Sequence, residues 1–284
     1  MSEAIIKVAA VQMEPRILDT DRNLARCLDL TRTASGVGAR LIVLPECALS
    51  GYAFSSLEEA LPCCETIPGP STGRIAEACR QLDVYVVIGM LERSSSGRRY
   101  NAAALLGPLG LIGKYRKTHL PYLGVDRFLE RGDSPPRVFE TGIGRIGVGI
   151  CYDVMFPEHA RVLALGGADV LTLPTNWPEQ REHIPEHVVP ARAAENRIFV
   201  VAANRVGIER GTRFIGTSVI AHCAKGAILA RGKADEEEIL YADLNLAEAR
   251  DKHVVIAPGE FEFNLVRDRR PELYGRIVEP PAES

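Results

Sequence analysis

The chain has 284 residues, 46% of them hydrophobic and 25% charged, with a formal net charge of −3. That length can bury a large core without a disulfide or metal staple, and 34 basic against 37 acidic residues with no long basic run leave no footprint for nucleic acid. The longest apolar stretches, such as Val84 to Leu91, fall well short of the ~20 residues that a membrane-spanning helix needs.

The start, MSEAIIKVAAVQ, carries an acid at Glu3 and no A-x-A-like cleavage pattern, so it is expected to open a first strand and not a leader. Ile5 to Val11 is strand-like. From Asp19 to Ala34, Leu24, Cys27, Leu28 and Thr31 recur at helical spacing, behind Asp19, Thr20 and Asp21 as candidate caps. Leu41–Leu44 is a short apolar strand. Thr72–Leu82 is helical and Val84–Met90 is another buried strand. Strands also fit Ala102–Leu106, Leu111–Tyr115, Arg145–Ile150, Ala168–Leu173 and Ile198–Ala203. These runs are apolar throughout, without strict alternation, which predicts strands covered on both faces and an α/β fold.

Two segments echo one another. Lys7 to Val11, a helix, and then Gly38 to Glu46 resemble Ile146 to Cys151, a helix, and then Gly167 to Asn176; both units end in strand–Leu–Pro–polar. Related halves whose sheets face each other, with helices outside, would explain this. Chance similarity between buried βαβ units is the alternative. No Ser/Gly/Pro-rich linker divides the chain, so 1–284 reads as a single domain. Past about residue 245 the periodicity weakens. Phe261 to Tyr274 sets aromatics among charges, and the tail, about 258–284, is expected to pack on a neighbouring subunit of a homodimer or larger homo-oligomer.

Seven cysteines, an odd number with no C-x-x-C pair, suit a reducing, cytoplasmic setting. Cys63–Cys64 reads as a loop before Pro68-Gly69-Pro70. Cys151 is different: it directly follows the apolar strand Ile146–Ile150 and precedes a helix expected near Pro157. The carboxyl end of a buried strand is where α/β folds hold nucleophiles and ligands. A thiol that attacks an amide must lose a proton, and its oxyanion needs stabilisation. Glu46, after the strand Leu41–Leu44, has apolar neighbours that raise a carboxyl toward a useful base. Lys117, in Lys114-Tyr115-Arg116-Lys117-Thr118-His119, is either a solvated strand edge or a desolvated ammonium that holds a thiolate and then an oxyanion. His119 remains open as the base of a Cys–His dyad. Glu182-His183-Ile184-Pro185-Glu186-His187 has the four-residue His spacing of zinc sites, but Pro185 argues against a regular helix there. Asn176-Trp177, after a strand end, are candidates to line a pocket, as is Tyr52 beyond Glu46.

Leu44-Pro45-Glu46, Tyr115-Arg116-Lys117-Thr118-His119-Leu120, and Gly149-Ile150-Cys151-Tyr152-Asp153 with Phe156-Pro157-Glu158 resemble the three catalytic blocks of the nitrilase-related carbon–nitrogen hydrolase superfamily, in order and approximate spacing. Ala191 to Arg197 and Phe214 to Ser218 add to the likeness, which runs from about Val8 to Asp243. The resemblance implies a four-layer α-β-β-α sandwich. It implies Glu46 as general base, Lys117 as oxyanion partner, Cys151 as nucleophile and the Tyr152 backbone N–H in the oxyanion hole, with no metal or organic cofactor. Many members carry a second Glu after the lysine block, near a Phe-x-x-Gly-Asp segment. Here the nearest acid upstream of that segment is Asp126, one methylene shorter, which either takes that role near the substrate nitrogen or leaves it vacant. The expected activity is hydrolysis of a small carboxamide or N-carbamoyl compound to acid and ammonia through a cysteine thioester. Nitrile hydrolysis is the nearest rival. An ammonia-supplying partner of a synthetase and a catalytically dead binding protein are the others.

Overall fold

The computed structural model describes residues 5–280; Glu3 and the last four residues of the tail lie outside that range. The chain opens on β1 (Ile5–Gln12), whose β-branched run is buried on both faces along most of its length, and passes into α1 (Thr20–Gly36). Leu24, Cys27, Leu28, Thr31 and Ala34 form the buried stripe of α1. Asp19 sits at the cap position, but its side chain makes no capping bond. Asn23 does the anchoring instead: its amide donates to the carbonyls of Arg16 (2.6 Å) and Leu49 (3.0 Å), and so fixes the helix start to the turn beyond β2. Then come β2 (Leu41–Val43), the short α2 (Leu57–Ala60), α3 (Pro70–Leu82), β3 (Tyr85–Arg93), β4 (Arg99–Gly107) and β5 (Gly110–Arg116). Proline at the start of α3 costs no hydrogen bond, because the first helical N–H has no intrahelical partner.

The second half runs β6 (Val138–Thr141), β7 (Gly144–Val148), α4 (Pro157–Leu165), β8 (Val170–Thr175), α5 (Val189–Asn196) and β9 (Phe199–Asn204). The hairpin β10 (Val206–Glu209) with β11 (Thr212–Ile215) leads to β12 (Val219–Ala221), β13 (Ile228–Arg231) and β14 (Glu238–Asn245). Then follow α6 (Leu246–Arg250) and the hairpin β15 (His253–Ala257) with β16 (Phe261–Asn264). From Pro271 to Pro280 every residue is exposed.

Two six-stranded sheets result, ordered β14-β1-β2-β3-β4-β5 and β13-β12-β9-β8-β7-β6. Read from β14 and from β6, their pairings follow one pattern: antiparallel, parallel, parallel, antiparallel, antiparallel. The two similar sequence segments therefore occupy equivalent places, β1–α1–β2 and β7–α4–β8. Val8, Ala10, Leu41, Val43 and Val87 belong to one core with Val148, Leu171, Leu173 and Val201 of the other sheet. Their neighbours Ala9, Val11, Ile42, Val86 and Ile88 face Leu24, Leu28, Ile75 and Cys79 of α1 and α3. Successive side chains leave a strand on opposite faces, so apolar runs without alternation are what a sheet sandwiched between a sheet and helices requires. The architecture is the α-β-β-α sandwich.

Gly89, on β3, shows how the fold positions the functional end of β2. Its carbonyl accepts from Ala48 (2.9 Å) and its N–H donates to Pro45 (3.1 Å). A Cβ there would lie 2.5 Å from the Glu46 Cα and 2.7 Å from the Pro45 carbonyl. Gly89→Ala should therefore displace the Glu46 turn, destabilising the protein by ~1–3 kcal/mol, the scale of overpacking. Gly73→Ala, on the open face of α3 with nothing within 4 Å of the new methyl, should stabilise by up to ~1 kcal/mol. Urea unfolding of both variants checks this; equal stability of the two would remove Gly89 as a spacer.

Candidate active site

The carboxyl ends of the parallel strands of both sheets converge. Glu46 lies three residues beyond the end of β2 and Cys151 three beyond the end of β7, while Asn176 and Trp177 follow β8 directly. Lys117 follows β5, where its N–H donates to the Asn101 carbonyl at 2.8 Å.

Glu46 and Lys117 have no exposed surface. The Lys117 ammonium donates to Glu46 Oε1 at 2.7 Å and to Asp126 Oδ2 at 2.6 Å. Asn101, on β4, donates from one amide nitrogen to both carboxylates, 2.6 Å to Glu46 Oε1 and 2.8 Å to Asp126 Oδ1. The Tyr52 hydroxyl donates to Asp126 Oδ2 at 2.9 Å. Asp126 is thus part of the cluster, despite its shorter side chain. Its turn is carried inward by the Val125 N–H on the Tyr52 carbonyl (2.8 Å) and by Gly124, whose φ of +50° and contact with the Tyr52 ring leave no room for a side chain.

Burial pulls the Lys117 ammonium down, but Asp126 and then Glu46 outweigh it and hold it well above the ordinary lysine range. Burial pushes Glu46 up, against Lys117, and the Asp126 charge pushes it further; the result is a carboxyl above its ordinary value. Its second oxygen, Oε2, is buried with no hydrogen-bond partner. An unpartnered buried acceptor is costly and is kept where chemistry uses it.

Cys151 retains 8% exposure, which decides what reaches it: the thiol forms part of the cavity surface, and Glu46 and Lys117 lie behind it. Burial and then the Glu46 charge push its pKa up to about 12, opposed by Lys117, the Thr175 hydroxyl and the Asn176 backbone N–H. At rest it is a neutral thiol. Its φ of +46° is the left-handed conformation that residues with a side chain avoid. The cavity, about 760 Å3, is lined by Tyr52, Leu123, Tyr152, Phe156, Asn176, Trp177 and Arg181 among others. All the predicted site residues therefore meet in one place, some as walls and some as the buried cluster behind them.

Other sequence features fall elsewhere. His119 turns its ring to Asp153, Nδ1 to Oδ1 at 2.7 Å, and stacks on Phe156 with centroids 3.7 Å apart. Lys114 and Arg116 pair with buried Glu92 at 2.5 and 2.7 Å, so that of the three clustered cations only Lys117 enters the site. His183 and His187 are both exposed, at the start of and within a π-helical turn (Ile184–Val188) that contains Pro185 and runs into α5. Among the described residues two groups bring three ligand-type side chains together: His119, Asp153 and His159, and His222, Cys223 and Glu248. Each already holds an internal bond, His119 to Asp153 as above and His222 Nε2 to Glu248 at 3.2 Å. All seven cysteines are free thiols.

Two residues escaped the sequence reading. Asn101 precedes the wholly apolar run Ala102–Leu106; a polar residue at the mouth of a buried strand was the available signal. Asp153 is fully buried and accepts five hydrogen bonds, yet in sequence it is only the last letter of Cys-Tyr-Asp.

Residues 7–253 match the profile of the carbon-nitrogen hydrolase family. A nitrilase of Pyrococcus abyssi is 42% identical over 274 residues, which cover 96% of this chain and 100% of that one. An (R)-stereoselective amidase of Pseudomonas sp is 32% identical, covering 97% and 96%. Among solved structures, a glutamate-to-glutamine variant of the amidase from Nesterenkonia sp. AN1 superposes with a TM-score of 0.77 at 27% identity, covering 96% of this chain and 97% of that one. In that crystal the acetamide moiety of fluoroacetamide is covalently added at the active-site cysteine.

The opposed charges around Cys151 make a directional prediction. Glu46 raises the thiol pKa, so Glu46→Gln should lower it. Alkylation of Cys151 by iodoacetamide at fixed pH, followed on its peptide by mass spectrometry, should be at least as fast as in the parent protein. Slower alkylation would mean that Glu46 does not repel the thiolate.

Proposed function

The chain belongs to the carbon–nitrogen hydrolase family, and we propose that its reaction is hydrolysis of a small carboxamide or N-carbamoyl compound, with Glu46, Lys117 and Cys151 as its catalytic residues. The observation that carries this reading is the unpartnered Glu46 Oε2 in a cluster where a lysine is held cationic beside a neutral thiol.

The steps follow from that arrangement. Glu46 takes the Cys151 proton as sulfur attacks the carbonyl carbon. The Lys117 ammonium and the Tyr152 backbone N–H stabilise the oxyanion. The C–N bond breaks as Glu46, now protonated, gives its proton to the departing nitrogen, and ammonia leaves a thioester on Cys151. Glu46 next deprotonates a water that attacks the thioester. The acid departs and the thiol recovers its proton from Glu46. A carboxylate base held above its ordinary pKa suits both halves of the cycle. Asp126 keeps Lys117 charged while the Glu46 charge comes and goes.

A specific observation favours a second reading. The relative at 42% identity is a nitrilase, and the same thiolate can add to a nitrile carbon. The amidase reading rests on Cys-Tyr-Asp after the strand and on the amidases among the relatives and solved structures. Free thiols throughout fit a reducing compartment, and among the described residues no helix is long and apolar enough to cross a membrane.

Cys151→Ala should abolish turnover with the fold intact by circular dichroism. In the parent enzyme an acyl group should be trapped on the Cys151 peptide. Matched amides, N-carbamoyl amino acids and nitriles, each assayed for ammonia, should rank the amide or carbamoyl compound first; a nitrile ranked first would select the second reading. Turnover by Cys151→Ala would overturn both.

The exposed tail supports a homo-oligomeric assembly. Phe261, Leu273, Tyr274, Ile277 and Val278 are exposed together with Val255 and Ile256 of the preceding hairpin. Truncation after Ala257 should lower the mass measured by light scattering, and an unchanged mass would place the interface elsewhere.

A further inference from the structure

We infer that Asp153 is a positioning residue: its carboxylate clamps the Lys117 segment of one sheet to the Cys151 turn of the other, and so sets where the ammonium stands relative to the thiol. The inference rests on the proposed roles of those two residues.

Asp153 is fully buried. On one side, its Oδ2 accepts the Ile150 backbone N–H at 2.9 Å, immediately before Cys151. On the other, it accepts from the segment at the end of β5. Tyr115 donates its hydroxyl to Oδ2 at 2.9 Å. Thr118 donates its hydroxyl to Oδ1 at 3.1 Å, and His119 its backbone N–H at 3.2 Å, with the His119 ring at 2.7 Å. Lys117 lies between Tyr115 and Thr118. Among the described residues no other side chain hydrogen-bonds to both segments. Burial by itself would raise the Asp153 carboxyl, yet the bond from His119 and the His159 ring beside it outweigh burial and leave its pKa below the ordinary aspartate value. It is therefore an anion, and each oxygen faces donors only.

The left-handed Cys151 supplies the second half of the case. A non-glycine residue at φ +46° stays there only when its surroundings over-determine it. The preceding N–H is pinned by Asp153, and the Asp153 N–H returns to the Ile150 carbonyl at 3.0 Å. The same carboxylate thus holds the nucleophile's turn and the oxyanion partner's loop. Neither strand end is otherwise bound to the other by sequence, since Lys117 and Cys151 lie on different sheets.

Asp153→Asn tests this. The amide keeps the shape but turns one acceptor into a donor that faces Tyr115 and Ile150, or Thr118 and His119. Misplacement of reacting groups by an ångström costs roughly 10²-fold, so kcat should fall by about that factor, with KM within about threefold, the signature of an interaction felt in the transition state. Alkylation of Cys151 by iodoacetamide should change rate in the same variant. The double variant Tyr115→Phe/Thr118→Val removes two donors from the lysine side and leaves the Ile150 bond. It should lower kcat in the same direction by a smaller factor, and it carries the test should Asp153→Asn not fold. A folded variant with a lowered Tm but parental kcat, KM and alkylation rate would make Asp153 a stability residue only and overturn the inference. Turnover by Cys151→Ala is a separate outcome that defeats the underlying assignment instead.

Discussion

A primary ammonium stripped of water sits between two carboxylates where the two sheets meet, and the rest of the site is arranged around that constraint. Taking three charges out of water is expensive, and only close pairing and complete hydrogen bonding offset the cost. Lys117 finds oxygens at 2.6 and 2.7 Å, and Asn101 and Tyr52 satisfy most of what remains. The formal charge of Glu46, Lys117 and Asp126 is −1. A fourth charge on sulfur would make it −2; burial first, and then the Glu46 charge, keep Cys151 protonated at rest although a lysine is near. While Glu46 is charged it disfavours the thiolate, and neutralising Glu46 lifts that repulsion, so in the proposed reaction proton transfer to Glu46 and attack by sulfur favour one another.

The side chains of this cluster all come from the first sheet and its loops, and the second half of the duplicated fold brings Cys151, Asn176 and Trp177 to it. The two sheets repeat the same order and sense of pairing, yet equivalent positions have diverged. Leu44-Pro45-Glu46 beyond β2 corresponds to Leu173-Pro174-Thr175-Asn176 at the end of β8. Glu46 stands where the other half has Thr175, whose hydroxyl lies by the Cys151 thiol, and Asn176 one residue further on joins the cavity wall. At the first strand of each half, Gln12 is consumed in structure, donating to the Lys233 and Glu236 carbonyls and accepting from Ser218. Its counterpart strand β7 leads instead to Cys151. A symmetric frame thereby presents an asymmetric set of groups to one cavity.

The parts of this arrangement that the sequence discloses are those encoded locally. Uninterrupted apolar runs mark strands covered on both faces, and Leu-Pro-Glu and Gly-Ile-Cys mark the strand ends that carry reactive groups. What it does not disclose is pairing across long separations. β14 completes the first sheet beside β1 from more than two hundred residues away in the chain, and its half-exposed pattern has little to distinguish it. Asn101 meets partners 55 and 25 residues distant, and Asp153 partners 34 to 38 residues distant. Their roles exist only once two sheets are face to face. Asp126 illustrates the same limit: in sequence a shorter acid leaves open whether it reaches the site, and only the Tyr52 and Gly124 contacts show how its backbone is drawn inward.

Reaction type and substrate choice are consequently separable in this molecule. Glu46, Lys117 and Asp126 are sealed in, bound to one another and to Asn101 and Tyr52, so a change in any of them propagates through the whole charge balance. The rest of the cavity surface, beyond Tyr52 and Cys151, is made by segments around 121–123, 152–156 and 176–184. Wall side chains that hold no bond to the cluster or to the chain around it, unlike buried Asp153 within the second segment, can differ while the cluster's pairing is kept. Arg181, at that surface, makes no ion pair among the described residues, while neighbouring Glu179 leans toward Arg213 at 3.7 Å. A family that includes both a nitrilase and an amidase is what such a division permits: under the proposed mechanism the buried charges would act on the carbon–nitrogen bond and the walls would select the compound that carries it.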